Sequence, residues 1–151
     1  MKGLVKCLRF GVLLCVFSTV HGCADWLPFS SGALDGEVVA NPADWSAVAE
    51  PSIIQFETQG KTPYSVNLWV IGEADKLYVF AGPNRSTWVE HIETNPNVRL
   101  RSGGNIYELT ATRVTDADEF EWFAQAWETK YGNRPRNENV DETWLMRLSS
   151  R

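Results

Sequence analysis

The stretch from Val98 to Ser102, then Gly103-Gly104, then Asn105 to Val114 restricts the fold more than any other part of this sequence. Two runs of alternating apolar and polar residues, joined by two glycines that tolerate positive φ, specify a tight antiparallel hairpin. Pairing Ser102 with Asn105 sets the register. Val98 and Leu100 then share one face with Tyr107, Leu109 and Ala111, Arg99 meets Glu108 on the other, and the apolar face enters a core. Both glycines are expected at positive φ.

The strand pattern extends upstream. Ile54 to Thr58 alternates, and Val66 to Ile71 and Leu77 to Ala81 are nearly continuous runs of Val, Ile, Leu and aromatic residues around the break Gly72-Glu73-Ala74-Asp75, which predicts a second hairpin buried on both faces. Two helices interrupt the strands. Thr87-Trp88-Val89-Glu90 reads as a capping box whose helix stops at Asn95-Pro96. Thr115, with Asp118 three residues on, opens a second helix; its stripe Phe120, Phe123, Ala124, Trp127 and Tyr131 faces the core and its stop is Gly132. After a polar loop, Asn133 to Asp141, the residues around Trp144 predict a closing strand, with Trp127 and Trp144 both in the core. The order is β-β-β-α-β-β-α-β, an α+β chain that is mainly β.

Residues 1–22 carry Lys2, Lys6 and Arg9, an apolar run from Phe10 to Phe17, and Val20-His21-Gly22 ahead of Cys23, the pattern of an export signal. The apolar run is too short to span a bilayer permanently. Removing this leader takes away three basic and no acidic residues, so the net charge falls from −5 to −8, which disfavours nucleic acid as a partner. Cys7 and Cys15 leave with it. Cys23 alone remains, excluding an intramolecular disulfide. Val20-His21-Gly22-Cys23 resembles a bacterial lipobox, which implies acylation of Cys23, including palmitate; with Ala24 rather than Asp next, the resemblance implies an outer-membrane lipoprotein facing the periplasm. An ordinary signal peptide cut near Ala24 is the alternative. Residues 23–50, with Pro28, Gly32, Gly36 and Pro42, are expected as a lipid-anchored tether. One short helix within it is capped by Asn41 and carries Trp45, Val48 and Ala49. Residues 51–151 form the expected domain.

Leu68-Trp69-Val70-Ile71, Lys76-Leu77-Tyr78-Val79-Phe80-Ala81, Trp88 through Asn95-Pro96-Asn97-Val98-Arg99-Leu100, and Lys130-Tyr131-Gly132 resemble the split-barrel superfamily of flavin-binding proteins, with its pyridoxamine-phosphate-oxidase-like and deazaflavin nitroreductase-like branches. The resemblance implies a split β-barrel with two packed helices. It also implies a flavin-type cofactor such as FMN, oxidoreductase chemistry, and a homodimer. Phosphate in that superfamily is held in the turn after the first strand and in the loop entering the helix after the third. Here these are Gly60-Lys61-Thr62-Pro63-Tyr64-Ser65 and Asn84-Arg85-Ser86-Thr87. The first lacks the longer Gly-basic-basic-Ser-Gly turn of the deazaflavin branch, which counts against a deazaflavin.

The second loop is also an anion site on physical grounds, since a helix N-terminus exposes unpaired N–H groups beside a guanidinium and a hydroxyl. Simple capping by Ser86 or Thr87 explains the same residues. Trp69 or Trp88 could flank a ring system, and core packing is the alternative for each. The candidate ligand residues are therefore Lys61, Ser65, Trp69, Asn84, Arg85, Ser86, Thr87 and Trp88. With His91 the only histidine after the leader, neither a triad nor a histidine-based metal site can be assembled. Two functions follow: an anchored periplasmic barrel binding an anionic small molecule, a flavin among the candidates, with a redox role, or a non-catalytic envelope interaction module that has lost the cofactor.

Overall fold

The computed structural model describes residues 32–151. Cys23, the leader and Trp26 lie outside the described residues. The strands are β1 (Glu37–Val38), β2 (Ile53–Gln59), β3 (Pro63–Glu73), β4 (Lys76–Phe80), β5 (Asn97–Ser102), β6 (Asn105–Arg113) and β7 (Leu145–Ser150), and the helices are α1 (Thr87–Thr94) and α2 (Ala117–Tyr131). Strand order is β1-β6-β5-β2-β3-β4-β7, and a β6–β7 pairing closes the six strands β2 to β7 into a barrel. All pairs in the barrel are antiparallel, while β1 lies parallel to β6. This is the split-barrel architecture.

The β5–β6 hairpin has the expected register, with Ser102 opposite Asn105 and Val98, Leu100, Tyr107, Leu109 and Ala111 all buried. Its turn differs from expectation. Gly103 has φ +61°, whereas Gly104 is absent from the positive-φ residues, the sign pattern of a II′ turn. The β3–β4 hairpin is buried on both faces only around Val70-Ile71 and Leu77-Tyr78-Val79; the first half of β3 is half-buried, and Trp69 is 49% exposed.

Two helix starts shift by one residue. Ser86 rather than Thr87 occupies the N-cap of α1, without a side-chain cap bond, so the Thr87 capping box does not form. In α2 the cap is Asp116, whose carboxylate accepts the Glu119 N–H at 2.8 Å, a better acceptor for a helix N-terminus than the Thr115 hydroxyl. Trp144 is half-buried rather than in the core, with the Arg113 guanidinium 4.0 Å above its ring.

The segment expected to be a tether packs on the barrel from Leu34 onward. Leu34, Trp45, Val48 and Ala49 are buried, and Trp45 meets Tyr107 edge-on at 5.5 Å. The short helix expected here is replaced by a single turn over residues 46–49. Asn41 does not cap it; its side-chain amide donates to the Glu108 carbonyl, fastening the strap to β6. Arg99 lies opposite Glu108 but turns to Glu57 on its other neighbour, β2, at 3.1 Å, where the 1%-exposed carboxylate also accepts the Leu34 N–H at 2.6 Å. Glu108 pairs with Arg151 instead.

Candidate functional site

The two proposed phosphate-holding segments face different sides of α1. Gly60, beside Lys61, lies so close to His91 that an added Cβ would sit 2.5 Å from its Nε2, so the β2–β3 turn packs on the His91 side. The Arg85 guanidinium reaches Glu93 through Nε at 3.0 Å and through Nη2. Residues two apart on a helix point to roughly opposite sides. Lys61 is exposed at the turn, and the exposed Arg85 is neutralised by its own helix. Ser65 is 2% exposed and its hydroxyl donates to the Gly32 carbonyl at 2.9 Å. Trp88 is buried edge-on to Phe56 at 5.6 Å and offers no open face. Asn84 and Thr87 are exposed, flanking Ser86, whose buried Oγ lacks a partner among the described residues.

Trp69 is the sequence-derived candidate that lines a cleft. With Phe80, Gly82, Pro83 and Trp127 on one side and residues 133–137 on the other, it encloses about 390 Å³, within the range of small-molecule sites. The local causes are visible. Trp69 sits on the outward side of β3 and stacks on Tyr131 at 5.2 Å and 22°. Gly82, at φ +63°, turns the chain out of β4, and its carbonyl accepts the Trp144 N–H at 2.9 Å. Helix α2 ends at Gly132 with φ +81°, releasing the loop that forms the second wall.

The end of α2 is pinned to β3. Lys130 Nζ donates to the carbonyls of Ala49, Pro51 and Val70, the last two at 2.9 and 3.0 Å, and burial lowers its pKa. The Tyr131 hydroxyl accepts the Val70 N–H at 3.1 Å and lies 2.8 Å from the Val70 carbonyl. These contacts set Trp127 and Trp69 against each other, 5.2 Å apart.

The two arginines of the loop differ in charge environment. Arg134 binds Glu121 at 2.7 Å and Glu138 at 2.6 Å, with Glu128 at 3.8 Å, so its charge is neutralised and the loop is stapled to α2. Arg136 is exposed and forms no ion pair with a described residue. Trp127 Nε1 is buried and without a hydrogen-bond partner among the described residues. Among the described residues the lining contains no histidine, aspartate or glutamate. The sequence signal for this wall was Arg134-Pro135-Arg136 directly after an aromatic helix stripe, but polarity alone marks such a segment as a loop.

Residues 64–145, more than half of the chain, match the family model of F420H(2)-dependent quinone reductase. The chain belongs to that family. The match starts at Tyr64, after the short Lys61 turn, so the missing Gly-basic-basic-Ser-Gly turn does not exclude membership of a deazaflavin-dependent family. Among solved structures, the chain is similar to a Bacteroides thetaiotaomicron protein named for 5-nitroimidazole antibiotic resistance, at 15% identity and TM-score 0.56 over 68% of this chain and 75% of that one. It is similar to a protein from Listeria innocua described as a pyridoxamine 5′-phosphate oxidase, at 15% identity and TM-score 0.54 over 68% and 86%. A third is an F420-H2 dependent reductase, at 19% identity and TM-score 0.50 over 64% and 92%. At these identities the likeness is one of fold. No curated protein matches the chain. This member of the quinone reductase family is thus a split-barrel protein of the flavin- and deazaflavin-related redox superfamily.

Proposed function

We propose that the cleft between Trp69 and the 133–137 loop holds a flavin-type redox cofactor, a deazaflavin or FMN, and that the protein is a reductase of ring compounds such as quinones. The observation that carries this reading is that the family match runs through both walls of the cleft, from Trp69 on β3 to Arg136 beyond α2. The residues fit such a group: a half-exposed indole face for a planar ring and an exposed guanidinium, outside any ion pair with a described residue, for an anionic side chain.

A bound flavin-type ring supplies hydride chemistry. Trp69 would hold the ring, Phe80 and Trp127 would line the apolar part of its site, and Arg136 would hold a phosphate or carboxylate. Arg134, neutralised by its glutamates, keeps the wall in place. The described lining residues would contribute position and electrostatics to the bound group.

In the same reading the barrel faces the periplasm, held at the outer membrane by acylated Cys23, and forms a homodimer. Fatty-acid labelling that disappears in Cys23→Ser tests the anchor, and light scattering tests the dimer.

Titration of the purified protein with oxidised deazaflavin and with FMN, followed by cofactor absorbance and tryptophan fluorescence, tests the central claim. The expected result is saturable binding, weakened about tenfold or more in Trp69→Ala and, at low salt, in Arg136→Ala, consistent with a charge-assisted contact. Absence of binding by either cofactor favours the second reading, a non-catalytic envelope module, for which the internal pairing of Arg85 with Glu93 and of Ser65 with Gly32 already speaks.

A further inference from the structure

A row of aromatic rings leads from the cleft to the Tyr78–Glu119 pair. Trp69, 49% exposed, lies 5.2 Å from Trp127, Phe123 follows at 5.5 Å, Tyr78 is 6.0 Å from Phe123, and Trp122 is 5.6 Å from Tyr78. Indole and phenol are the side-chain rings most readily oxidised by one electron, and close ring contacts let the resulting vacancy, a hole, pass between them. Phe123 is too hard to oxidise to keep the hole and serves as a bridge.

Where a hole comes to rest depends on what accepts the proton, because oxidation turns a phenol or an indole into a strong acid. Trp127 Nε1 is buried without a partner among the described residues, so the oxidised ring must keep its charge in an apolar setting, which is costly. The Tyr131 hydroxyl, beside Trp69, lies among the Val70 N–H and the Val70 and Ser52 carbonyls, none of which is a base. Trp122 has Lys76 Nζ 4.0 Å from its ring centroid, and that cation opposes a second positive charge. In this row, among the described residues, Tyr78 alone donates to a carboxylate, Glu119 Oε1 at 2.8 Å.

We infer that Tyr78 is the terminus of a hole relay that drains one-electron oxidation away from the cleft. A one-electron oxidant at the cleft, such as an organic radical, takes an electron from Trp69 and is itself reduced. An electron then moves from Tyr78 across Phe123 to the oxidised indoles, and the phenolic proton passes to Glu119. The products are a neutral Tyr78 phenoxyl radical, a protonated Glu119 beside Arg147, and restored Trp127 and Trp69. The relay rests on the ring contacts and the Glu119 hydrogen bond, whatever the cleft holds.

The test is flash photolysis of the full chain with tris(bipyridine)ruthenium and a cobalt(III) quencher, which generates ruthenium(III) as oxidant, followed by rapid freezing and electron paramagnetic resonance. Fluorotyrosine at position 78, with the fluorine beside the hydroxyl, keeps the ring and marks the radical's place by fluorine splitting. The expected result is a fluorine-split phenoxyl signal that is lost in Trp127→Phe and retained in Trp122→Phe. Glu119→Gln, whose amide accepts the hydrogen bond but not the proton, should lose it as well. Oxidation of Trp69, read by peptide mass mapping, should rise severalfold in Glu119→Gln and in Tyr78→Phe. A phenoxyl signal without the splitting, an indole signal alone, or no radical at all overturns the proposal. A split signal that survives Trp127→Phe, or that depends on Trp122, overturns it too, since the oxidant then reaches Tyr78 without passing from the cleft.

Discussion

The Tyr78 hydroxyl, on a side chain 1% exposed in β4, donates to Glu119 at 2.8 Å, and Glu119 also holds Arg147 at 2.9 Å. Burial first, and then the Glu119 carboxylate, push the Tyr78 pKa far above the ordinary tyrosine value; burial also raises that of Tyr131. A folded-state pKa above the unfolded one means that, beyond pH 10, the unfolded chain has lost protons that the folded chain keeps. Stability is therefore intact below pH 10 and falls as pH rises above it. Lys130, whose pKa is lowered by burial, acts in the opposite sense as pH climbs toward 10.5. Urea unfolding between pH 9 and 11 should show a falling midpoint, with a shallower slope in Tyr78→Phe; an equal slope would show that the hydroxyl is not held protonated. Such partners were poorly legible in sequence. Arg99 has two cross-strand neighbours, and the hairpin revealed Glu108, whereas the buried Glu57 that binds it comes from a strand forty-two residues away. The sequence around Arg85 leaves an anion site and simple capping both open, because the acid that pairs with Arg85 stands two turns further along its helix.

At the scale of elements, alternation and turn chemistry were informative because both are local. The β5–β6 register followed from period-two patterning against two glycines. What local pattern did not reveal is which glycine bears the unusual backbone angle. Gly103 has φ +61° with open space around it, so an added side chain meets no clash and the cost is conformational alone. Gly103→Val should destabilise by about 1–2 kcal/mol, the cost of a left-handed residue for a β-branched side chain. Gly104→Val, with the same open space and no positive φ, should stay within about 0.5 kcal/mol. Chemical denaturation of the two variants decides between this turn and one with both glycines left-handed, in which the costs would be equal. Helix starts were legible to within one residue, because Ser86-Thr87 and Thr115-Asp116 each offer two adjacent cap residues and pattern does not choose between them.

For the whole molecule, the 32–50 strap is the feature that composition misread, since its glycines and prolines resemble those of a linker while its apolar residues have no period. It crosses the barrel from Gly32, whose carbonyl accepts the Ser65 hydroxyl, through β1 on β6, to Trp45, whose N–H donates to the Ala74 carbonyl at 2.7 Å. Val48 adds a carbonyl for the Ser102 hydroxyl at 2.7 Å, and Ala49 one for Lys130. The strap therefore covers the core and also completes the polar groups that fix the end of α2, the wall of the cleft. A fragment beginning at Pro51 exposes the surfaces under Leu34, Trp45 and Val48, each worth about 1.5–3 kcal/mol, and strips partners from Glu57, Ser65 and Lys130. That sum rivals the 5–15 kcal/mol total stability typical of a domain. A fragment beginning at Gly32 keeps every one of these contacts. Thermal unfolding with near-ultraviolet circular dichroism should show a cooperative transition for the Gly32 fragment and a lost or strongly lowered one for the Pro51 fragment, with cleft binding lost in parallel because Lys130 no longer pins Tyr131 beneath Trp69. Equal midpoints for the two fragments would show that the barrel stands without its strap and that the cleft wall is held by α2 alone.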